Sequence, residues 1–140
     1  GLLKVDFGVA INGFTADAAI SFDLDETEEN KILIETAEES LKKAIEIVSK
    51  NKEKTKLNEI GKEIQKIAEK DKLQPIINLS GHSIEKYDLH AGITIPNIDN
   101  SNEEEIGKGI FAIEPFITLS SATGKVHDSK PSGISPALGM

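Results

Sequence analysis

The chain has 140 residues and a formal net charge of −8, and its 16 basic residues are all lysine. The length suits one domain of ordinary size, and the negative charge argues against general binding to nucleic acid or to anionic membranes. The absence of cysteine excludes a disulfide framework, a cysteine nucleophile and a thiolate metal site. No apolar run approaches the roughly 18 residues of a membrane span, so we expect a soluble intracellular protein.

Residues 2 to 24 are predicted to form a β-hairpin. Apolar side chains alternate with small or polar ones from Leu3 to Ile11 and again from Phe14 to Leu24. Asn12-Gly13 between the two runs is a strong signal for a type I′ turn, because both residues tolerate positive φ. We expect the bulky face of this hairpin to pack and the face of small residues to be shallow.

The shallow face of the hairpin carries two aspartates, Asp6 and Asp17. With a two-residue turn, Gly8 faces Asp17 and Asp6 faces Ala19, so the carboxylates are diagonal neighbours with Cα atoms about 7–8 Å apart. At that separation they can share one or two cations. The alternative is a solvated outer face, where an aspartate in a strand is merely unfavourable. The hairpin alone leaves both interpretations open.

Two amphipathic helices are predicted next, without a sustained heptad repeat. The first covers residues 28 to about 49, and the second begins after Thr55, which is predicted to cap it. Each helix should bury one apolar stripe and expose a face of glutamates and lysines. The stripes consist of Leu33, Ala37, Leu41, Ala44, Ile45 and Val48 in the first helix and of Leu57, Ile60, Ile64, Ile67 and Ala68 in the second.

The rest of the chain reads as strands and loops. "QPIINL" predicts a short buried strand entered through Pro75, and "GIFAIEPFITL" predicts an apolar strand that is irregular at Pro115, which cannot donate a hydrogen bond. Antiparallel strands with helices grouped between them predict an α+β fold, a curved antiparallel sheet covered on one face by helices. We expect the folded core to span residues 1–126 and residues 127–140 to form a loop-like tail.

Three further side chains have notable chemistry. His82 follows an apolar strand and His90 comes eight residues later, with Gly81 and Gly92 allowing close approach of the backbone. Glu114 has apolar neighbours on both sides, and a buried carboxylate needs a cation, a partner or a raised pKa. The alternatives are ordinary surface or core histidines and an ion pair between the glutamate and a lysine.

Asp6, Asp17, His82 and Glu114 together make an oxygen-rich ligand set with one imidazole. Such a set suits divalent transition ions such as Mn, Fe, Co or Zn. Bound metal can lower the pKa of water and polarise a carbonyl group. Because the chain has no cysteine and no evident Ser-His-Asp pattern, metal-assisted hydrolysis is the leading chemical hypothesis.

Three segments, "DFGVAINGFTAD", "SGHSIEKYDLHAG" and "FAIEPF", resemble in this order the type II methionine aminopeptidases of archaea and eukaryotes. The resemblance covers nearly the whole chain up to about residue 126. It implies the "pita-bread" fold and a cytoplasmic enzyme that removes the initiator methionine with one or two divalent ions (Co, Mn, Fe or Zn). The implied partner is the N-terminal Met of nascent polypeptides, with no nucleic acid and no membrane.

The resemblance also implies a role for each candidate ligand. Asp6 would chelate one metal ion, and Asp17 would bridge two ions. His82 and Glu114 would bind the other ion. A metal-bound hydroxide would attack the first peptide bond.

On the substrate side, the resemblance implies that His90 is catalytic. It would contact the substrate carbonyl and help to stabilise the tetrahedral intermediate. Leu89 would touch the methionine side chain. His127 matches no ligand of the family, and we expect it on the surface.

The sequence departs from the family pattern in several places. The family has a fifth ligand, a bridging glutamate in a strand near its C-terminus, and this sequence does not contain it. Also absent are the region before the hairpin, with another substrate-side histidine, and the inserted helical subdomain of the type II enzymes. We therefore expect a partial copy of the enzyme that is inactive alone. The alternative is a non-catalytic binding protein on the same fold.

Overall fold

The structure is a computed structural model that describes residues 1–128, which form a hairpin, two helices and a series of short strands. All strand pairings in this range are antiparallel, which agrees with the predicted α+β class. The predicted tail over 127–140 lies outside the described residues apart from its first two positions. The elements are β1 (Leu2–Ile11), β2 (Phe14–Asp23), α1 (Glu28–Asn51), α2 (Leu57–Lys70), β3 (Leu73–Pro75), β4 (Gly81–Ile84), β5 (Thr94–Ile95), β6 (Ile110–Ala112) and β7 (Ile117–Leu119).

The hairpin of β1 and β2 has the predicted turn and register. Asn12 and Gly13 both have positive φ, 53° and 87°, as a type I′ turn requires. Ile11 pairs with Phe14, and the register continues so that Asp17 lies opposite Gly8 and Asp6 opposite Ala19. Both aspartates therefore lie on the face of small residues.

The bulky face of the hairpin is exposed, so the prediction that it packs is wrong. On the opposite face, Asp17 meets His82 and Lys4 lies over the ring of Phe116. Alternation shows which side chains share a face but not which face will be covered. The exposed side chains are Leu3, Val5, Phe7, Val9, Ile11, Phe14, Ile20 and Phe22, each between 39% and 69% exposed.

Helix α1 begins after Thr27, whose hydroxyl accepts a hydrogen bond from the Asn30 amide at 3.1 Å. The buried side of α1 agrees only in part with the predicted stripe: Ala44 is buried as predicted, but Leu41 and Ile45 are exposed. Thr36 and Ser40, which were not in the stripe, are buried. Helices α1 and α2 pack against each other, and the buried side chains of α1 are small. The larger side chains of α1 instead line the groove between this helix and the hairpin.

Helix α2 buries the predicted apolar residues, but its predicted cap is wrong. Leu57, Ile60, Ile64, Ile67 and Ala68 are all buried. The residue before the helix is Lys56, whose backbone amide donates to the Glu59 carboxylate at 3.4 Å. The Thr55 hydroxyl donates instead to the Lys52 carbonyl at 2.7 Å, because Thr55 closes the short 3₁₀ turn between the helices.

The last apolar segment is divided into two strands. β6 pairs with β4 and β7 pairs with β3, so the chain crosses from one sheet to another over residues 113–116. The irregularity predicted at Pro115 is present, and Glu114 lies in this crossing. The prediction for "QPIINL" is wrong in its bounds, because β3 ends at Pro75 and Ile77 is exposed.

The apolar core lies between α1, α2 and the strands that follow. Gly61 allows α2 to approach residue 98 closely, because a Cβ at this position would overlap the Ile98 carbonyl group. Among residues 1–128, no helix is both long enough and apolar enough to cross a lipid bilayer. The core consists of Ala44, Leu57, Ile60, Ile64, Ile95 and Ile106, with Val48, Ile93, Phe111, Ile113 and Ile117 packed against them.

Candidate metal centre

Asp17, His82 and Glu114 converge at the boundary between the hairpin and the core. The His82 Nε2 is 3.2 Å from the Asp17 Oδ2 and 3.0 Å from the Glu114 Oε1. One ligand atom from each of the three residues lies within 4.8 Å of the other two. Three elements contribute, namely β2, β4 and the crossing after β6, so the folded chain brings together residues 97 positions apart in sequence.

The close contact between β4 and β6 brings His82 and Glu114 together. His82 pairs with Ala112 across the two strands, and Glu114 follows two residues later. A Cβ at Gly81 would overlap the Ala112 carbonyl oxygen, so only glycine fits there without a shift of the backbone. This confirms the close approach predicted for Gly81, whereas a Cβ at Gly92 would meet no atom within 4 Å.

The second ring nitrogen of His82 faces the main chain. Its Nδ1 lies 3.4 Å from the carbonyl oxygen of Ser83. A proton on Nδ1 leaves the lone pair of Nε2 directed at the two carboxylates, which is the tautomer that a metal ligand needs. His82 is 9% exposed, so water competes little for this position.

The electrostatic environment of Glu114 suits a cation. Partial burial raises the pKa of this carboxyl above its usual value, and the nearby charges of Asp17 and Asp6 raise it further. His82 and Lys4 act in the opposite direction on the same pKa. A divalent ion would offset this repulsion between carboxylates, and two carboxylates with one imidazole are a suitable donor set for it.

Asp6 lies beside the three-residue cluster but has a different partner. The Lys4 Nζ is 3.1 Å from the Asp6 Oδ2. Asp6 lines the same cavity as Asp17 and Glu114. The structure therefore brings three of the four predicted ligands together and places the fourth next to them. The two-residue spacing of Lys4 from Asp6 is the one signal in the sequence that the two side chains share a face.

His90 and Leu89 line the cavity next to the cluster. The imidazole rings of His90 and His82 have centroids 4.3 Å apart and are tilted by 56°. The His90 amide donates to the Asp88 carboxylate at 3.1 Å, which holds the loop before it. The cavity measures about 540 Å³, within the range typical of small-ligand sites. His127 is exposed, as expected.

The tip of the hairpin contacts the loop that carries these two residues. The Tyr87 amide donates to the Gly13 carbonyl at 2.7 Å, and the Tyr87 ring lies against Gly13, where a Cβ would overlap it. The Lys86 ammonium lies 5.7 Å from the centre of the Phe14 ring. This contact holds the turn of the hairpin against the loop before His90. Nothing in the local pattern around Tyr87 predicts it, because it depends on the tertiary arrangement.

The chain belongs to metallopeptidase family M24, whose family model it matches over residues 1–134. The methionine aminopeptidase of Thermococcus onnurineus is 41% identical over 131 residues, which are 92% of this chain and 42% of that protein. The methionine aminopeptidase of Pyrococcus horikoshii is 40% identical over 135 residues, and this match also covers 92% of this chain and 42% of that protein. The chain thus spans less than half the length of these relatives.

Solved structures give the same fold. The methionine aminopeptidase of Thermotoga maritima aligns with a TM-score of 0.74 at 30% identity, over 83% of this chain and 46% of that one. The prolidase of Pyrococcus furiosus aligns with a TM-score of 0.66 at 21% identity, over 85% of this chain and 34% of that one, a likeness that concerns the fold alone. The predicted resemblance to methionine aminopeptidases is confirmed.

Proposed function

We propose that this chain carries part of the active site of a metal-dependent aminopeptidase that removes the initiator methionine from new proteins. The observation that carries the proposal is the cluster of Asp17, His82 and Glu114 in a member of family M24. The relatives named methionine aminopeptidase support the substrate class. A non-catalytic binding surface would not need a partly buried carboxylate held against an imidazole.

Asp17, His82 and Glu114 would hold one divalent ion. Asp6 would hold a second ion, which Asp17 would share. We propose Mn, Fe, Co or Zn for this site, because carboxylates with one imidazole suit these ions. When bound, such an ion lowers the pKa of coordinated water and polarises a peptide carbonyl. His82 is fixed for this task by the main-chain contact of its Nδ1.

The substrate would lie in the cavity beside His90. In the proposed mechanism, His90 donates a hydrogen bond to the oxygen of the first peptide carbonyl and stabilises the charge that develops there. Leu89 contacts the methionine side chain, with Ile93 and Phe116 as further apolar lining. We expect the protein in the cytoplasm, where new polypeptides emerge, with no nucleic-acid or membrane partner.

Calorimetric titration of the 140-residue chain with Mn²⁺ tests the metal site. We expect Asp17→Ala and Glu114→Ala each to weaken binding by roughly 100-fold, because each removes one of three converging ligands. Glu46→Gln is the matched control, since Glu46 lies on α1 paired with Lys43 and should not affect binding. Unchanged affinity in both alanine variants would contradict the metal assignment.

A second titration tests the substrate class. L-methionine, the product of the reaction, should bind the Mn²⁺-loaded chain, and Leu89→Ala should weaken that binding several-fold, because Leu89 would lose its apolar contact. L-aspartate is the control ligand and should not bind beside the site carboxylates. Methionine binding that is unaffected by Leu89→Ala would show that the side chain lies elsewhere.

A further inference from the structure

Lys4 links the hairpin to the segment that carries Glu114. Side chains two residues apart in a strand lie on one face, so Lys4 and Asp6 are neighbours, with the Nζ 3.1 Å from the Asp6 Oδ2. The same Nζ lies 4.3 Å from the centre of the Phe116 ring. Phe116 is two residues beyond Glu114, across the boundary between the hairpin and the core. The ammonium group therefore has two partners, one on each side of this boundary.

The carboxylates of the centre are divided between two partners. Asp17 and Glu114 both contact the His82 imidazole, whereas Asp6 contacts the Lys4 ammonium. Within residues 1–128, Lys4 is the one lysine that lines the cavities next to these carboxylates. A cation that enters the three-residue cluster meets the Asp17 and Glu114 carboxylates, whose common partner is the His82 imidazole. A cation that approaches Asp6 meets a carboxylate that already has a positive partner.

We propose that Lys4 is a positioning residue that competes with metal for Asp6. This inference rests on the proposed function, because it concerns the same centre. The ammonium holds the Asp6 carboxylate in place and must leave the Oδ2 before an ion can bind there. Phe116 gives the displaced ammonium a remaining contact through cation–π attraction. Lys4 would thereby make Asp6 a weaker ligand than Asp17 or Glu114.

The test is a calorimetric titration with Mn²⁺ of the unaltered 140-residue chain and of Lys4→Met at low ionic strength. Methionine keeps most of the apolar stem of lysine and removes the charge. Because both partners are about half exposed, the competition is modest, and we expect Lys4→Met to bind Mn²⁺ about 3- to 10-fold more tightly. Lys4→Arg keeps the charge, so this variant should bind Mn²⁺ with the same affinity as the unaltered chain. The gain should shrink as salt is added, because salt screens exposed charges.

Two controls separate this role from a general effect of charge or of structure. Lys66→Met removes an exposed lysine from the outer surface of α2 and should leave Mn²⁺ affinity unchanged. In an Asp6→Asn background, Lys4→Met should raise the affinity clearly less than in the unaltered background, because only the weaker influence of the ammonium on Glu114 remains.

An equal gain with and without Asp6, or no gain in the unaltered background, would overturn the role of Lys4. If Mn²⁺ binds the unaltered chain and Glu114→Gln weakens that binding, but Lys4→Met has no effect, only the inference about Lys4 fails. If the unaltered chain binds no Mn²⁺, the proposed function itself fails.

Discussion

The hairpin and the helix-covered core use equally regular apolar patterns with opposite results. In α2, Ile60 and Ile64 are completely buried, as their helical spacing predicts. In the hairpin, strict alternation leaves Phe7 and Val9 more than half exposed. The difference shows that periodicity assigns side chains to a face, while the tertiary arrangement decides which face is covered.

The candidate metal centre joins these two regions. Asp17 belongs to the hairpin, and His82 and Glu114 belong to the core. The polar contacts Asp17–His82 and Lys4–Asp6, with Lys4 over Phe116, lie on the small face of the hairpin. A bound ion would therefore act as a cross-link between a region with extensive apolar packing and a region with little.

The largest loss of stability is expected for a substitution in the apolar core. Ile60→Ala removes a fully buried side chain and leaves a cavity, which should lower the free energy of unfolding by about 2–5 kcal/mol. Urea denaturation followed by circular dichroism measures this loss. A change below about 1 kcal/mol would contradict the assignment of Ile60 to the core.

The next effect concerns the close approach of β4 to β6. Gly81→Ala forces a methyl group against the Ala112 carbonyl, and such overpacking typically costs about 1–3 kcal/mol. Because His82 is the next residue, we also expect Mn²⁺ binding to weaken at least tenfold. Gly61→Ala is the matched control, since it meets the Ile98 carbonyl away from the centre and should lose stability without losing Mn²⁺ affinity. Equal metal affinity in the two variants would contradict the positioning role of Gly81.

A smaller change in stability is expected at Glu114, where one substitution should weaken metal binding but leave the unfolding free energy nearly unchanged. After chelator treatment, Glu114→Gln should keep the unfolding free energy within about 1 kcal/mol or raise it, because it removes a partly buried charge near Asp17 and Asp6. In the same variant, Mn²⁺ affinity should fall by up to about 100-fold, the loss expected for Glu114→Ala. A strong loss of stability would show that the carboxylate is structural.

The change of the unfolding free energy with pH shows in which pH range the Glu114 side chain stabilises the folded chain. Its pKa is raised in the folded chain, so the folded state holds the proton more tightly than the unfolded state. The stabilisation by protonated Glu114 is fully present below the ordinary glutamate pKa of 4.5. It is lost as the pH rises through the raised pKa of Glu114 in the folded chain. Relative to Glu114→Gln, the chelator-treated unaltered chain should therefore lose stability as the pH rises above 4.5. A relative gain in stability over that range would contradict the direction of the pKa shift.

The smallest effect is expected on the bulky face of the hairpin. Phe7→Ala should lower the unfolding free energy by less than about 1 kcal/mol, because the ring is 53% exposed and little packing is lost. Urea denaturation at two protein concentrations measures this loss of unfolding free energy. A loss as large as that of Ile60→Ala would show that this face is covered in solution, and a dependence on concentration would identify self-association as the cause.

Much of the local structure could be predicted from the sequence. Asn12-Gly13 determined the turn and hence the register of Asp6 and Asp17, and the spacing in α2 determined its buried face. The candidate ligands His82 and Glu114 are visible in the sequence, because a histidine beside glycines and a carboxylate among apolar residues are unusual. Each of these signals is local, so neighbouring residues are sufficient to interpret it.

The remaining features depend on tertiary contacts that local patterns do not contain. In α1, Ser40 is buried and Leu41 is exposed, the reverse of what the polarity of the two side chains predicts. The break at Pro115 was predicted, but not that it moves the chain from one sheet to another. The contacts of Lys4 with Phe116 and of Tyr87 with Gly13 join distant segments, and no spacing rule relates them.

Hydrogen exchange of the β2 amides with and without Mn²⁺ tests most directly whether one metal centre joins the hairpin to the core. In the unaltered chain, Mn²⁺ should slow exchange over Phe14–Asp23 several-fold, because binding at Asp17 ties this strand to His82 and Glu114. The same addition should leave exchange unchanged in Glu114→Gln. Exchange in β2 that is insensitive to Mn²⁺ in the unaltered chain, or that slows equally in the variant, would contradict the shared centre.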